Sequence, residues 1–575
     1  MKRVLLSVLA TVAVLASCCG PKDGEYTLRI LTTNDVHGHY FDSLYTTSDR
    51  TAPSMMSVAW HVDSIRVAEG AENVILLDAG DCLHGDNASY YFNYVDTESK
   101  HVFARMLEYL DYVAWIPGNH DFEVGHPVYD RIAETLNVPM LATNAVHADS
   151  GEPYFEEYVT VKRHGLKITI IGFTNPNIKN AYAPELWSGI DFISTMPDFA
   201  QKAVDRISAQ EKSDVVVVAI HSGAGKGDGS QIDQQGLDLF KSLKGVDLLV
   251  CAHDHKALVL NEEKISMVNT GNYCANLGSG TITVTVEGGK VVDKKVKAEL
   301  IPLDKDKTDV KMKAHFQSDY EAVKAYTTRY VGDVEMPING FDVIGGMSDY
   351  MNLLHTVCLG ASDAKVSLMA PTSLNMSIKP GKLVYNDLFT LYSYENQLYE
   401  VKMSGKEIRT LLEHVYDGWV GGADGHVLNM RGMKNPRTGA EMWFFAGSAS
   451  EMDTAGGLVY DVDVTKPFGK RVTVHSFADG SAFDEAAEYK VAMNSYRALG
   501  GGNMLKKAGI ENSEERIVAR LQDIRTMIDE YITEHGSVNS ALVGDKAVIG
   551  QWKFVPEKKA KKAIEKDMNM MFRMF

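Results

Sequence analysis

"NVILLDAGD", Asn73 to Asp81, is an unbroken apolar run that ends in Asp-Ala-Gly-Asp. A strand with one wet face alternates apolar and polar residues. A short continuous run of Val, Ile and Leu therefore predicts a strand covered on both faces, as in a layered α/β sheet. The same design recurs along the first half: "YTLRILTT" (26–33), "VAWIP" (113–117), "KITIIGF" (167–173), "DVVVVAI" (214–220) and "VDLLVCA" (246–252), separated by helix-like segments. "TITVTVEGGKVVDKKV" (281–296) then reads as a hairpin turned at Gly288 and Gly289. The expected fold class is α/β, a β-sheet core flanked by helices.

The ends of these runs carry polar groups. Asn34, Asp35 and His37 follow the first, Asp81 the second, Asn119 and His120 the third, His221 the run at 214–220, and His253 and His255 the last. In an open sheet of mostly parallel strands those ends share one edge, where ligands bind. Each residue alone also fits a turn, a satisfied core histidine or a polar loop; repetition at five strand ends favours one site. Asp, His and Asn make a mixed oxygen and nitrogen donor set suited to divalent Zn, Mn, Fe or Co rather than to Ca or a thiolate centre. Two clusters sharing a carboxylate would hold two divalent metal ions and clamp a phosphoryl group.

A chain of 575 residues exceeds what one core usually serves, so two domains are expected. Its net charge of -18 argues against a nucleic-acid polymer as partner and requires a local positive centre for any anionic substrate. Residues 1–17 have the form of a signal peptide, with Lys2 and Arg3 before the apolar run "VLLSVLATVAVLA". "LASC" resembles a bacterial lipobox, which implies lipidation of Cys18 and a tether over 18–25. The expectation is an exported lipoprotein of the bacterial outer membrane or cell surface, anchored to the membrane by its lipid; a plain signal peptide or an uncleaved anchor is the alternative. Cys82, Cys251, Cys274 and Cys358 have no CxxC spacing and read as mostly buried thiols.

Beyond residue 302, Phe316, Tyr320, Val323 and Tyr330 recur at helical spacing and predict a linking helix within 303–335. The second domain is expected over 336–536. Its last helix would start near Asn512, with Glu515 three residues on, and present Ile517, Leu521, Ile524, Ile528 and Tyr531 on one face. The basic, Met-rich segment 537–575 reads as a surface helix or a partly disordered tail.

"TTNDVHGH", "DAGDCLHG", "PGNHDFE", "AIHSG" and "AHDH", in this order, resemble the five motifs of calcineurin-like metallophosphoesterases, specifically the 5'-nucleotidase family with its own C-terminal domain. The resemblance implies a metallophosphoesterase domain over 26–302. Asp35, His37 and His255 would hold one metal, Asn119, His221 and His253 the other, with Asp81 bridging and a metal-activated hydroxide attacking phosphorus. It assigns His120 to transition-state stabilisation and to protonation of the leaving oxygen. Glu123, one methylene longer than the family's aspartate, would orient that imidazole, and Asp121 is left as a turn residue.

The second half resembles the smaller mixed α/β 5'-nucleotidase C-terminal domain through "GKLVYNDLFTLYSYENQLYEVKMSGKEIRTLLEH" and "YKVAMNSYRALGGGN". Tyr496 falls on one base-stacking aromatic, worth about 1–3 kcal/mol per base in such roles. Met452 stands where the second ring is expected, Asn375 in place of a substrate-binding arginine, and Gly502 in place of the ribose-binding aspartate. Arg497 reads either as a phosphate or ribose contact or as an exposed structural arginine. The expected function is hydrolysis of a small phosphate ester, a nucleotide first. The alternatives are a 2',3'-cyclic nucleotide phosphodiesterase, a phosphatase of a non-nucleotide ester, and a non-catalytic surface binding protein.

Overall fold

The computed structural model describes residues 20–421, 426–435 and 438–572; the signal segment and Cys18 lie outside the described residues. The chain divides into two compact units between Glu321 and Ala322.

The strands of the first unit are β1 (Gly24–Thr33), β2 (Val74–Asp78), β3 (Tyr112–Trp115), β4 (Ala145–His147), β5 (Tyr158–Arg163), β6 (Leu166–Phe173), β7 (Ile190–Phe192), β8 (Val215–Ile220), β9 (Leu248–Val250), β10 (Leu258–Asn261), β11 (Ser266–Asn269), β12 (Asn276–Glu287) and β13 (Lys290–Pro302). All six apolar runs form strands, but in two sheets rather than one. The orders are β13-β12-β1-β2-β3 and β10-β11-β9-β8-β6-β5. Within them β1, β2 and β3 are parallel, and so are β6, β8, β9 and β11.

The two sheets share a single core. Leu28, Ile30, Ile75 and Leu77 from the first join Ile168, Ile170, Val215, Val217 and Leu248 from the second. The alternate residues of the second sheet, Ile171, Phe173, Val216, Val218 and Ile220, are buried with Met196, Ala200, Val204 and Ile207 of helix Met196–Glu211 and Leu239 of helix Gly236–Ser242. Both faces of these strands are dry, which is why the runs lack polar alternation. Each such side chain contributes about 1.5–3 kcal/mol through burial. The β12–β13 hairpin turns at Gly288 and Gly289, both at positive φ, the backbone a two-residue type I′ turn requires. Cys82, Cys251, Cys274 and Cys358 are buried free thiols.

Two short helices, Val310–His315 and Gln317–Thr327, lead from the first unit into the second. The helical reading stops before Tyr330, which opens a strand, Tyr330–Val334, paired with Gly381–Val384.

In the second unit the central sheet has the order Thr454–Gly456, Val366–Met369, Glu488–Asn494, Gln397–Ser404, Ile517–Asp523. The helix expected from Asn512 is therefore corrected. Residues Ile517–Asp523 pair antiparallel with Gln397–Ser404, and the helix begins only at Ile524, capped by Asp523, whose side chain accepts the Thr526 N–H at 2.9 Å. The tail takes the surface-helix reading over its last part and adds a strand before it. Gly550–Val555 adds a parallel strand to Leu458–Asp463, and helix Glu557–Phe572 buries Ala560, Ile564, Asp567 and Met571. Asp567 fastens that helix by accepting the Val427 N–H at 2.7 Å. The lysines that made the segment look like a tail, among them Lys558, Lys559, Lys561 and Lys562, occupy its exposed face.

Candidate active site

Five chain crossings at the C-terminal ends of β1, β2, β3, β8 and β9 bring the strand-end residues together, and they do so in unusual backbone. Asp35 (φ 48°), His37 (φ 48°), Asp81 (φ 57°), His253 (φ 76°) and His255 (φ 56°) are all left-handed, a conformation rare for residues with side chains. Bonds between loops hold them there. Asp35 N–H donates to Gly80 O (2.7 Å), His37 N–H to Asp81 O (2.9 Å) and His253 N–H to Asp35 Oδ2 (2.9 Å). Glycine is required where the loops cross: a Cβ on Gly118 would lie 2.2 Å from Asp81 Oδ1 and 2.6 Å from His221 Nδ1.

Two donor clusters result, each with its ligating atoms within 4.8 Å of one another: Asp35, His37 and His255, and Asp81, His221 and His253. In the first, His37 Nε2 and His255 Nε2 are 2.9 Å apart and His255 Nε2 is 3.4 Å from Asp35 Oδ1. In the second, His221 Nε2 is 3.0 Å from Asp81 Oδ2. That approach lacks hydrogen-bond geometry, and both His221 Nε2 and Asp35 Oδ1 are buried without a hydrogen-bond partner. Leaving such atoms unsatisfied costs about 1–3 kcal/mol each. A divalent cation in each cluster would satisfy them, so the donor set fits metals.

Neighbouring groups orient the donors. His221 Nδ1 pairs with Ala79 O (2.7 Å) and His37 Nδ1 with His84 O (3.1 Å), which frees each Nε2 lone pair for a cation. The Asn119 amide donates to Tyr182 Oη (2.8 Å), which sets its Oδ1 as the atom that could face a cation, with Asn175 Nδ2 3.5 Å away. The Asn34 amide donates to Asp35 Oδ2 (2.6 Å) and Gly271 O (2.8 Å).

Burial pushes the His37 imidazolium down to about 3. Asp81 is held well below the usual carboxylate range, because the positive charges of His221 and His120 overcome its burial. The reverse holds for the partners: against burial, Asp81 lifts His221 to about 9, and Asp81 with Glu123 lifts His120 to about 10.

His120 lies in the short helix Asn119–Glu123. Its backbone N–H donates to Asp81 Oδ1 (2.8 Å) and its Nδ1 is bonded to Glu123. The longer glutamate thus reaches the imidazole. Tyr182 Oη lies 3.4 Å from the same nitrogen.

Asp121 is more than a turn residue. Its buried carboxylate accepts four backbone N–H groups: Gly118 and Asp81 at 2.8 Å, Cys82 and Leu83 at 2.9 Å. It clamps the loop after β3 to the loop after β2. Gly118 is a local partner three residues upstream, but the other three lie about forty residues upstream, so nothing local exposes the clamp between the loops. His84, inside "DAGDCLHG", has no sequence feature that marks it for a role; its ring stacks on His120 at 4.6 Å between centroids.

In the second unit, Tyr496 is 48% exposed and its ring covers Gly501, where a Cβ would lie 2.5 Å from it. Asn375 is exposed, with its N–H on Ser373 Oγ. Arg497 fits neither expectation: it is 2% exposed, bonded through Nε and Nη2 to Asp453 at 3.1 and 2.7 Å, and bonded also to Gly501 O and Ser450 O. Its donors face protein acceptors, so it serves as a buried structural arginine. Met452 is buried. A cavity of about 300 Å3 is lined by Trp419, Phe445, Met452 and Met504 with Glu451 and Lys507.

Residues 28–257 match the calcineurin-like phosphoesterase family model, and residues 331–507 match the 5'-nucleotidase C-terminal domain. The chain belongs to the metallophosphoesterases that carry a 5'-nucleotidase C-terminal domain, a family of hydrolases. It is similar to the 5'-nucleotidase of Vibrio vulnificus (strain CMCP6), 24% identical over 559 residues, covering 88% of this chain and 93% of that protein. It is also 24% identical over 583 residues to the trifunctional nucleotide phosphoesterase protein YfkN of Bacillus subtilis (strain 168), covering 89% of this chain but only 38% of that longer protein. Among solved structures, a putative 5'-nucleotidase from Staphylococcus aureus in complex with alpha-ketoglutarate matches with a TM-score of 0.72 at 18% identity, over 92% of this chain and 99% of that one, a likeness of fold.

Proposed function

We propose that this chain is an exported, lipid-anchored phosphoric monoester hydrolase acting on nucleotides. The observation that carries the chemistry is the pair of donor clusters in which the buried Asp35 Oδ1 and His221 Nε2 make no hydrogen bond although other donor atoms stand around them. Asp35, His37 and His255 would hold one divalent cation, Asn119, His221 and His253 a second, with Asp81 shared. Bound there, two ions of Zn, Mn, Fe or Co would supply Lewis acidity and a water made nucleophilic near neutral pH.

The chain's own residues do the rest. His120, cationic through Asp81 and Glu123, presents a proton to the departing ester oxygen, and Glu123 keeps it charged and oriented. The 5'-nucleotidase C-terminal domain and the names of the relatives support a nucleotide. Tyr496 is the exposed ring available for a base, while Asn375 and Met452 provide no arginine and no second ring there, so weak base selectivity is expected.

Phosphate release from AMP, UDP-glucose, 2',3'-cyclic AMP and simple sugar phosphates tests the substrate class. Turnover confined to sugar phosphates would sink the nucleotide assignment, and preference for the cyclic ester would move it to the phosphodiesterases. Export and anchoring are tested by membrane fractionation of cells expressing Cys18→Ser, which should release the protein from the membrane.

A further inference from the structure

The cluster His84, His120 and Glu123 has its ligating atoms within 4.8 Å, which invites a third cation. Ring geometry argues otherwise. A metal bound to an imidazole lies in the ring plane, about 2.0–2.1 Å from the nitrogen. The planes of His84 and His120 are inclined by only 17° with centroids 4.6 Å apart, so they do not meet within bonding distance of both rings. This is a face-to-face stack, not a chelate.

We infer that His84 is a positioning residue for the proton donor His120, fixing the plane of its ring through that stack. The inference rests on the reading of His120 as general acid. The bond from Nδ1 to Glu123 restrains the imidazole, yet small coupled changes of its two side-chain torsions and of the glutamate's still tilt the ring. The other rings around it meet His120 edge-on, His37 at 69° and Tyr182 at 66°. His84 alone among these three neighbours lies flat on its face. A flat neighbour prevents the tilt that would swing Nε2 away from the leaving oxygen. It also excludes water from that face of the cation. His84 is itself held in place: its backbone carbonyl accepts from His37 Nδ1, so the stack is built onto the first donor cluster.

The experiment uses the full chain and a series of phosphate monoesters from p-nitrophenyl phosphate, whose leaving group needs no proton, through phenyl phosphate to glycerol phosphate, whose leaving group does. General-acid catalysis contributes about 10²–10⁴-fold, and misalignment forfeits part of it. In His84→Ala, kcat should fall about tenfold or more on glycerol phosphate and less than about twofold on p-nitrophenyl phosphate, with KM nearly unchanged. His84→Phe, which keeps a flat ring, should recover most of the loss. Both should keep wild-type metal content and thermal stability. An equal loss on every ester, no recovery with Phe, or loss of metal in both variants overturns the inference. His120→Ala on the same series separates the two claims. If it responds steeply to the leaving group and His84→Ala does not, only the inference fails; if it does not respond, the acid reading itself fails.

Discussion

Asp121 Oδ2 accepts the backbone N–H of Asp81 at 2.8 Å, so the proposed shared metal ligand is held in place by a residue of the loop that carries the proposed acid. Asp121→Asn keeps the size but presents one acceptor oxygen in place of two. Two of four buried N–H groups then lose their partner, at about 1–3 kcal/mol each. Chemical denaturation should show a loss of about 2–6 kcal/mol, and metal content should fall with it. Unchanged unfolding would return Asp121 to a turn residue.

His120 and Asp81 should fail differently. His120→Ala is expected to retain metal and lose about 10²–10⁴-fold in kcat on an alkyl ester. Asp81→Ala is expected to lose metal and activity together. Metal analysis beside steady-state rates distinguishes them, and loss of metal in His120→Ala would mean that the acid was misassigned.

Arg497 and Asp453 form a buried pair, each 2% exposed. Removing one partner of such a pair costs about 3–5 kcal/mol. Arg497→Met should therefore lower the thermal stability of the second unit while leaving hydrolysis of p-nitrophenyl phosphate unchanged per folded molecule. A stable variant with raised KM for nucleotides would restore the substrate-contact reading.

Burial pushes His355, bonded to Ser367 and Thr454, down to about 3, and does the same to His101 in the first unit. Each stays neutral when folded but takes a proton at an ordinary histidine pH when unfolded. The unfolded chain thus binds more protons below about pH 6.5. Their stabilisation is complete above that pH and is lost as pH falls toward 3, by about 1.4 kcal/mol per pH unit for each. His355→Gln should flatten the pH dependence of second-unit unfolding between about pH 4 and 6. An unaltered slope contradicts the assignment.

The strands and the donor residues were legible because burial on both faces removes polar alternation and because chemistry sits at strand ends, which composition alone displays. The split into two sheets was not, since a run covered by a second sheet looks like a run covered by a helix. Ile517, Leu521 and Ile524 match a helical face by spacing, yet pairing with Gln397–Ser404 decides the backbone of 517–523. The period of Ala560, Ile564, Asp567 and Met571 was masked by intervening lysines. Apart from the Gly118 N–H, the partners of Asp121 and of His84 are ones that only the folded loops bring near, so the clamp and the stack have no local signature.

The left-handed backbone at Asp35, His37, Asp81, His253 and His255 has a consequence for how such a chain can change. Such backbone costs a residue with a side chain about 1 kcal/mol, about 5 kcal/mol over the five, and at Asp35 and Asp81 the carboxylates offset it by accepting the N–H groups of His253 and His120. Glycine at His37, His253 or His255 would relieve the backbone while erasing the chemistry. A chain with nothing left to hydrolyse would sit on a downhill slope toward those glycines, and this chain stands at the top of it with all five side chains in place.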